Sequence, residues 1–128
     1  MQDHPTVDEL LGAVVGFLRD DVMVNTTGRI NFHARVSANA LDIIRRELQH
    51  EEEHLIAEWE SLDQLLGAEE CPEGLASWRE ATRRRNADLS ARVRDGLADE
   101  DPMRSRVMAH LGMVVNNKLQ VDAPNLAR

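Results

Sequence analysis

The feature that most constrains this chain is a stretch of 38 residues, numbers 29–66, that contains neither proline nor glycine. Such a run predicts one helix, far longer than the average of about 10–14 residues in globular proteins. Apolar residues lie on two sides of its first half, with Leu41, Ile44 and Leu48 on one side and Phe32, Val36, Ala40 and Ile43 on the other. An apolar arc this wide predicts a helix that is central in a bundle or lies in a dimer interface.

Residues that are typical of helix starts and helix ends divide the rest of the chain into three further helical segments. Thr6 followed by Glu9 has the pattern of a capping box, and apolar residues then recur at helical spacing as far as Met23. The long helix is expected to stop at a loop over residues 67–74. A third segment follows that loop and ends near Gly96.

The fourth segment begins with Asp101 as the N-cap and Pro102 as the first helical residue, and it ends at Asp122. No alternation of apolar and polar residues indicates a strand. We therefore expect an all-α fold that forms a single domain over residues 1–128. About four helices would pack antiparallel through short loops, with the long helix at the centre.

Composition and charge exclude several classes of function. With 23 acidic and 15 basic residues the net charge is −8, and four aromatic residues without a tyrosine offer few stacking platforms, so we expect no nucleic-acid partner. The single cysteine, Cys71, allows no internal disulfide, and nearby Glu69 and Glu70 disfavour its thiolate. The longest apolar run, residues 10–18, is too short to cross a membrane. We expect a cytoplasmic protein without a cofactor or a membrane partner.

The string from His50 to His54 fits the pattern H-E-x-x-H, which binds zinc through two imidazoles one helical turn apart, with the glutamate as general base. A metal-dependent hydrolase using His50, Glu51 and His54 is therefore one alternative. The apolar stripe of this helix lies roughly 110–150° away from the two imidazoles, which then face water unless a partner covers them. No third ligand is evident, and a solvated Glu-rich face is the favoured interpretation.

The third segment carries a run of arginines, namely Arg79, Arg83, Arg84, Arg85, Arg92 and Arg94. One interpretation is a site for an anion or an acidic partner. The simpler interpretation is a solvated face that pairs with Glu80, Asp88 and Asp95. Arg85 lies close to the apolar stripe of this helix and is expected to be partly covered.

A row of polar residues lies within the apolar part of the long helix. Asn39, Arg46 and His50 align beside Ile43, with Glu47 next to them. Another charged residue, the lysine at position 118, falls in the middle of the apolar stripe of the fourth segment. Buried charges are rare unless they are paired. We therefore predict that Arg46, Glu47 and Lys118 form an ion-pair network or face a partner protein. The alternative is that each of these long side chains reaches solvent.

Several short stretches together resemble a bacterial family of small helical proteins of unknown function. Its members are typically encoded beside an aminoglycoside-phosphotransferase-like kinase and an acyl-CoA dehydrogenase. The residues that match the family pattern are Asn39, Arg46, Glu47, Lys118 and Pro124. The stretches that carry the resemblance are Pro5-Thr6, Glu9-Leu10-Leu11, Phe32-His33-Ala34-Arg35-Val36, Asn39-Ala40-Leu41, Arg45-Arg46-Glu47-Leu48, Lys118-Leu119 and Asp122-Ala123-Pro124.

The resemblance implies an accessory role without catalysis. A similar small subunit would bind and support a phosphotransferase-like kinase that acts on hydroxyacyl-CoA thioesters in acid catabolism. The chain departs from the family pattern in the acidic stretch 50–60 and at Asn125 and Leu126, where an aromatic residue often follows the proline. A further alternative is a structural homodimer closed by the wide apolar face of the long helix.

Overall fold

The computed structural model describes residues 3–128, and over that range its regular structure is helical, without strands. The elements are α1 (Val7–Gly16), a π-helical segment (Phe17–Val22) with a last α-turn (Met23–Asn25), α2 (Gly28–Leu66), α3 (Leu75–Arg94), α4 (Met103–Asp122) and a 3₁₀ turn (Pro124–Leu126). The predicted all-α class is confirmed, because the helical segments in this described range occupy the four predicted stretches. None of these helices is long and apolar enough to cross a membrane.

The residues predicted to start α1 and to stop α2 do so. Thr6 Oγ accepts a hydrogen bond from the Glu9 amide at 3.2 Å, and the Glu9 carboxylate accepts one from the Thr6 amide at 2.7 Å. This reciprocal pair satisfies two amides that the first helical turn leaves without partners. At the end of α2, the Gly67 amide donates to the Asp63 carbonyl at 3.0 Å. Gly67 has φ +99°, which glycine adopts with little steric cost.

Two local features differ from the sequence expectation. The chain widens into a π-helix between α1 and Met23, and no residue pattern in this segment signals it. Helix α4 begins at Met103 with Pro102 at its N-cap, one residue later than predicted. The carboxylate of Asp101 nevertheless accepts from the Ser105 amide at 3.1 Å, so it does satisfy an amide of the first turn.

The described chain divides into two compact units, one ending at Gln49 and the other beginning at His50. The single-domain organisation over residues 1–128 stays a prediction. In the first unit, α1 and residues 28–49 of α2 form an antiparallel hairpin, because Asp8 pairs with Arg45 while Asn31 reaches back to the carbonyl oxygens of Met23 and Thr26. We call residues 7–49 the hairpin.

The second unit holds the larger apolar core. Leu62, Leu65, Leu89 and Val107 are buried together, so the core draws on α2, α3 and α4. Partly buried residues pack around them, namely Leu66, Val93, Leu97, Ala98 and Met103.

Helix directions within the second unit differ from a fully antiparallel arrangement. His54 pairs with Gln120 and Ser61 with His110, so α4 runs antiparallel to this part of α2. Arg79 donates to Glu51, and Asn86, seven residues later, donates to Glu58, which is also seven residues later. Positions along α3 and α2 therefore advance in the same direction, so α3 runs parallel to this part of α2. The connection at 67–74 makes this direction possible, since the nine Cα–Cα steps from Leu66 to Leu75 can span roughly 30 Å when extended.

Candidate functional site

The helices of the hairpin are joined by ion pairs that are partly exposed to solvent. Arg45 donates to both carboxylate oxygens of Asp8, at 2.8 and 3.0 Å, and these hydrogen bonds lower the pKa of Asp8. Arg19 donates to Asp42 at 2.6 Å. The buried residues described in this unit are small, namely Val15, Ala34 and Ala38. The hairpin is therefore joined by charge pairs at its surface, and its fully buried residues are small, while larger apolar residues such as Leu41 and Ile43 are half-buried.

Large apolar side chains of the hairpin point outward. We call the exposed ones the outer apolar surface, and Phe32, for example, is 61% exposed. Its members are Val7, Leu10, Val14, Phe17, Val24, Ile30, Phe32, Val36, Ile44 and Leu48. A water-exposed helical hairpin usually presents polar and charged residues on its outer face. Large exposed apolar patches are typical of interaction surfaces.

The outer apolar surface includes much of the wide apolar arc predicted for α2. Phe32, Val36 and Ile44 are exposed, whereas Leu41 and Ile43 are half-buried. On a helix of 3.6 residues per turn, these three exposed residues lie on the side of α2 opposite Ala38. They also lie opposite Arg45, the residue of α2 that pairs with Asp8. The hairpin thus leaves this arc uncovered within its own unit.

The residues that match the family pattern lie largely at the surface. Asn39, Glu47, Lys118 and Pro124 are exposed, and Arg46 is half-buried. Asn39 accepts a hydrogen bond from Arg19 at 3.3 Å. The exposed side chains of Glu47 and Lys118 reach solvent, and an ion-pair network of these residues with Arg46 stays a prediction. That these residues face a partner stays a prediction.

The structure gives the three residues of the H-E-x-x-H string different surroundings. The rings of His50 and His54 are nearly parallel, with centroids 5.4 Å apart and planes at 14°. His54 Nε2 lies 2.9 Å from Gln120 Oε1. Both carboxylate oxygens of Glu51 pair with the Arg79 guanidinium. Within residues 3–128, no group of three or more His, Cys, Asp and Glu residues is arranged to hold a metal ion.

A buried arginine that the sequence only partly indicated joins α3 to the end of α2. Arg85 is 1% exposed and donates to Asp63 and to the Gly67 carbonyl, both at 2.6 Å. Its guanidinium also lies over the Trp59 ring, 4.5 Å from the centroid. Cation–π contact and charge-assisted hydrogen bonds together offset the cost of burying this charge.

The predicted pairing of the other arginines is confirmed in part. Arg83 pairs with Glu80 at 2.9 Å and Arg92 with Asp88 at 3.0 Å, each within α3. Arg84 pairs instead with Glu69 in the preceding loop, and this contact lowers the pKa of Glu69. Four exposed arginines of the run are therefore engaged with acids of the same chain, namely Arg79, Arg83, Arg84 and Arg92.

A buried histidine lines an open pocket of about 370 Å³ between α2 and α4. His110 is 2% exposed, and its Nδ1 lies 2.9 Å from Ser61 Oγ. Burial lowers the pKa of His110 and so favours its neutral form, against a smaller opposing effect of the Glu58 charge. No local sequence pattern indicates this contact, because Ser61 and His110 are 49 residues apart.

Comparison with known proteins identifies the family. Residues 24–126 match a family described as a domain of unknown function, DUF6285, so the chain belongs to that family. The family match includes most of the stretches that carry the resemblance and begins after Pro5 and the capping box. No curated protein and no solved structure matches the chain.

Proposed function

We propose that this chain is a non-catalytic accessory protein that binds and supports a phosphotransferase-like kinase of acyl-CoA and hydroxy-acid catabolism. The outer apolar surface of the hairpin is its docking site. The identity of the partner rests on the resemblance described above. The structural support is the hairpin, which leaves ten large apolar side chains exposed.

The magnitude of apolar burial supports a docking role for the hairpin. Burying one large apolar side chain stabilises an association by about 1.5–3 kcal/mol, and 1.4 kcal/mol is tenfold in affinity. Phe32 and Val36 are exposed one turn apart on the same side of α2. Covering these two residues alone would therefore contribute well over tenfold to the affinity for a partner.

The test is affinity capture of the tagged chain from its native host, with the captured proteins identified and quantified by mass spectrometry. We expect a phosphotransferase-like kinase in near-stoichiometric amount. The double variant Phe32→Ser/Val36→Ser should lower its recovery more than tenfold. Met108→Ser is the matched control, because Met108 is as exposed as Phe32 but lies on α4 of the second unit.

Three results would contradict the proposal. The first is capture of the chain without any kinase. The second is an equal loss of kinase recovery in the double variant Phe32→Ser/Val36→Ser and in the control Met108→Ser. Turnover of a hydroxyacyl-CoA or phosphoryl substrate by the purified chain alone would contradict the non-catalytic role. Circular dichroism of each variant confirms that any loss of binding is not a loss of helix.

The same surface favours one competing function, a structural homodimer. Two copies could cover each other's outer apolar surfaces through a two-fold interface. Mass determination of the purified chain decides between the two partners. A stable dimer that excludes the kinase would replace the accessory role, whereas a monomer that binds the kinase supports it.

A further inference from the structure

His50 and His54 form a pair of imidazoles that the accessory function does not use. They lie one turn apart on α2, both half-buried, with near-parallel rings whose centroids are 5.4 Å apart. Two imidazoles at this spacing on one helical face are a recognised arrangement for binding a transition-metal cation. Neutral imidazole nitrogen is a preferred ligand of Zn²⁺.

A contact with Gln120 orients the His54 ring for binding a metal. Its Nε2 lies 2.9 Å from the side-chain oxygen of Gln120, and an amide oxygen only accepts hydrogen bonds. In the neutral tautomer that donates from Nε2 to this oxygen, the lone pair on Nδ1 is available for a metal. Metal-binding histidines generally donate their other ring N–H to an oxygen in this way, which fixes the tautomer and the ring orientation.

The neighbouring glutamate does not complete a hydrolytic site. Both oxygens of Glu51 are engaged by Arg79, so this carboxylate is not free to activate water. In residues 3–128 these two imidazoles are not part of any group of three or more His, Cys, Asp and Glu residues arranged to hold a metal ion. A cation held here would keep its remaining coordination positions for water or a small ligand.

We propose that His50 and His54 bind Zn²⁺ as a two-imidazole chelate, with Gln120 positioning His54. Zn–N bonds of about 2.0–2.1 Å place the two ligand nitrogens roughly 3.3 Å apart, so the rings rotate from their parallel arrangement on binding. The site lies in the second unit, whereas the outer apolar surface lies in the first. The metal proposal therefore stands or fails independently of the kinase.

The test is isothermal titration of the full chain with Zn²⁺. We expect one site per chain, and a loss of affinity of at least tenfold in His50→Gln and in His54→Gln. Gln120→Ala should weaken binding about tenfold or more, as loss of an outer-sphere partner does at other metal sites. His33→Gln is the matched control, because His33 is an exposed histidine of the same helix without another histidine one turn away.

Glu51→Gln separates the chelate from a hydrolytic site. It should leave the Zn²⁺ affinity within about twofold, because Glu51 is bound to Arg79 and is not a ligand. Absence of binding below 1 mM Zn²⁺ would overturn the proposal. So would equal weakening by His33→Gln and His50→Gln. Circular dichroism of the variants distinguishes lost ligands from lost helix.

Discussion

Single residues decide how the second unit is held together, and Arg85 is the clearest case. Its neighbours Arg83 and Arg84 are exposed, yet Arg85 is buried against Trp59 and Asp63. Helical spacing places Arg85 near the apolar stripe of α3, and this position predicts that its side chain is partly buried. Its partners could not be predicted, because Asp63 and Gly67 contact it only when the loop turns back and α3 runs parallel to α2.

Removing the Arg85 side chain should strongly destabilise the chain. Arg85→Ala leaves Asp63 without its buried partner and opens a cavity beside Trp59, so we expect the free energy of unfolding to fall by about 3–5 kcal/mol. Urea unfolding measures this difference. Arg83→Ala is the control, since its surface pair with Glu80 is expected to contribute less than about 1 kcal/mol. Similar losses in the two variants would contradict this account.

His110 gives the stability a dependence on pH. Burial lowers the pKa of His110 in the folded chain, so below its ordinary value of about 6.5 the unfolded chain binds more protons than the folded one. The stabilisation from the neutral ring is complete above pH 6.5 and is lost as the pH falls through the folded pKa. Urea unfolding at pH 7.5 and 5.5 should show this loss, and His110→Gln should reduce it. An unchanged pH dependence in the variant would show that another group is responsible.

At the scale of elements, the helix ends could be predicted more completely than the helix directions. Thr6, Gly67 and the break after α3 are local signals, and each one marks an end in the structure. The π-helical segment has no local signal, and the parallel direction of α3 rests on contacts between residues far apart in sequence, such as Arg79 and Glu51. Leu75 of α3 and Leu111 of α4 are exposed in this arrangement.

A small residue of the hairpin is completely buried. Ala38 is 0% exposed, and it lies four residues before Asp42, which pairs with Arg19 of the π-helical segment. Ala38→Leu should lower the free energy of unfolding by about 1–3 kcal/mol, because the larger side chain forces α1 and α2 apart. Ala40→Leu, at an exposed position two residues later, should change it by less than about 0.5 kcal/mol. Thermal unfolding of both variants checks this, and equal effects would show that the interior is not tightly packed.

At the scale of the whole molecule, the two units differ in what stabilises them. The second unit buries leucine and valine side chains from three helices, whereas the hairpin buries a valine and two alanines. The sequence predicted the wide apolar arc of α2 and offered either a central position or an interface as its explanation. Periodicity identifies an apolar face but carries no information on which molecule covers it.

The measurement that tests the central claim most directly is hydrogen exchange along α2, read by mass spectrometry on the isolated chain and on the chain bound to the captured kinase. A hairpin completed by a partner predicts that amides in residues 28–49 exchange faster than those in 50–66 in the isolated chain. Binding should then slow exchange in residues 28–49. Equal protection of the two halves in the isolated chain, or slowing confined to residues 50–66 on binding, would contradict the account.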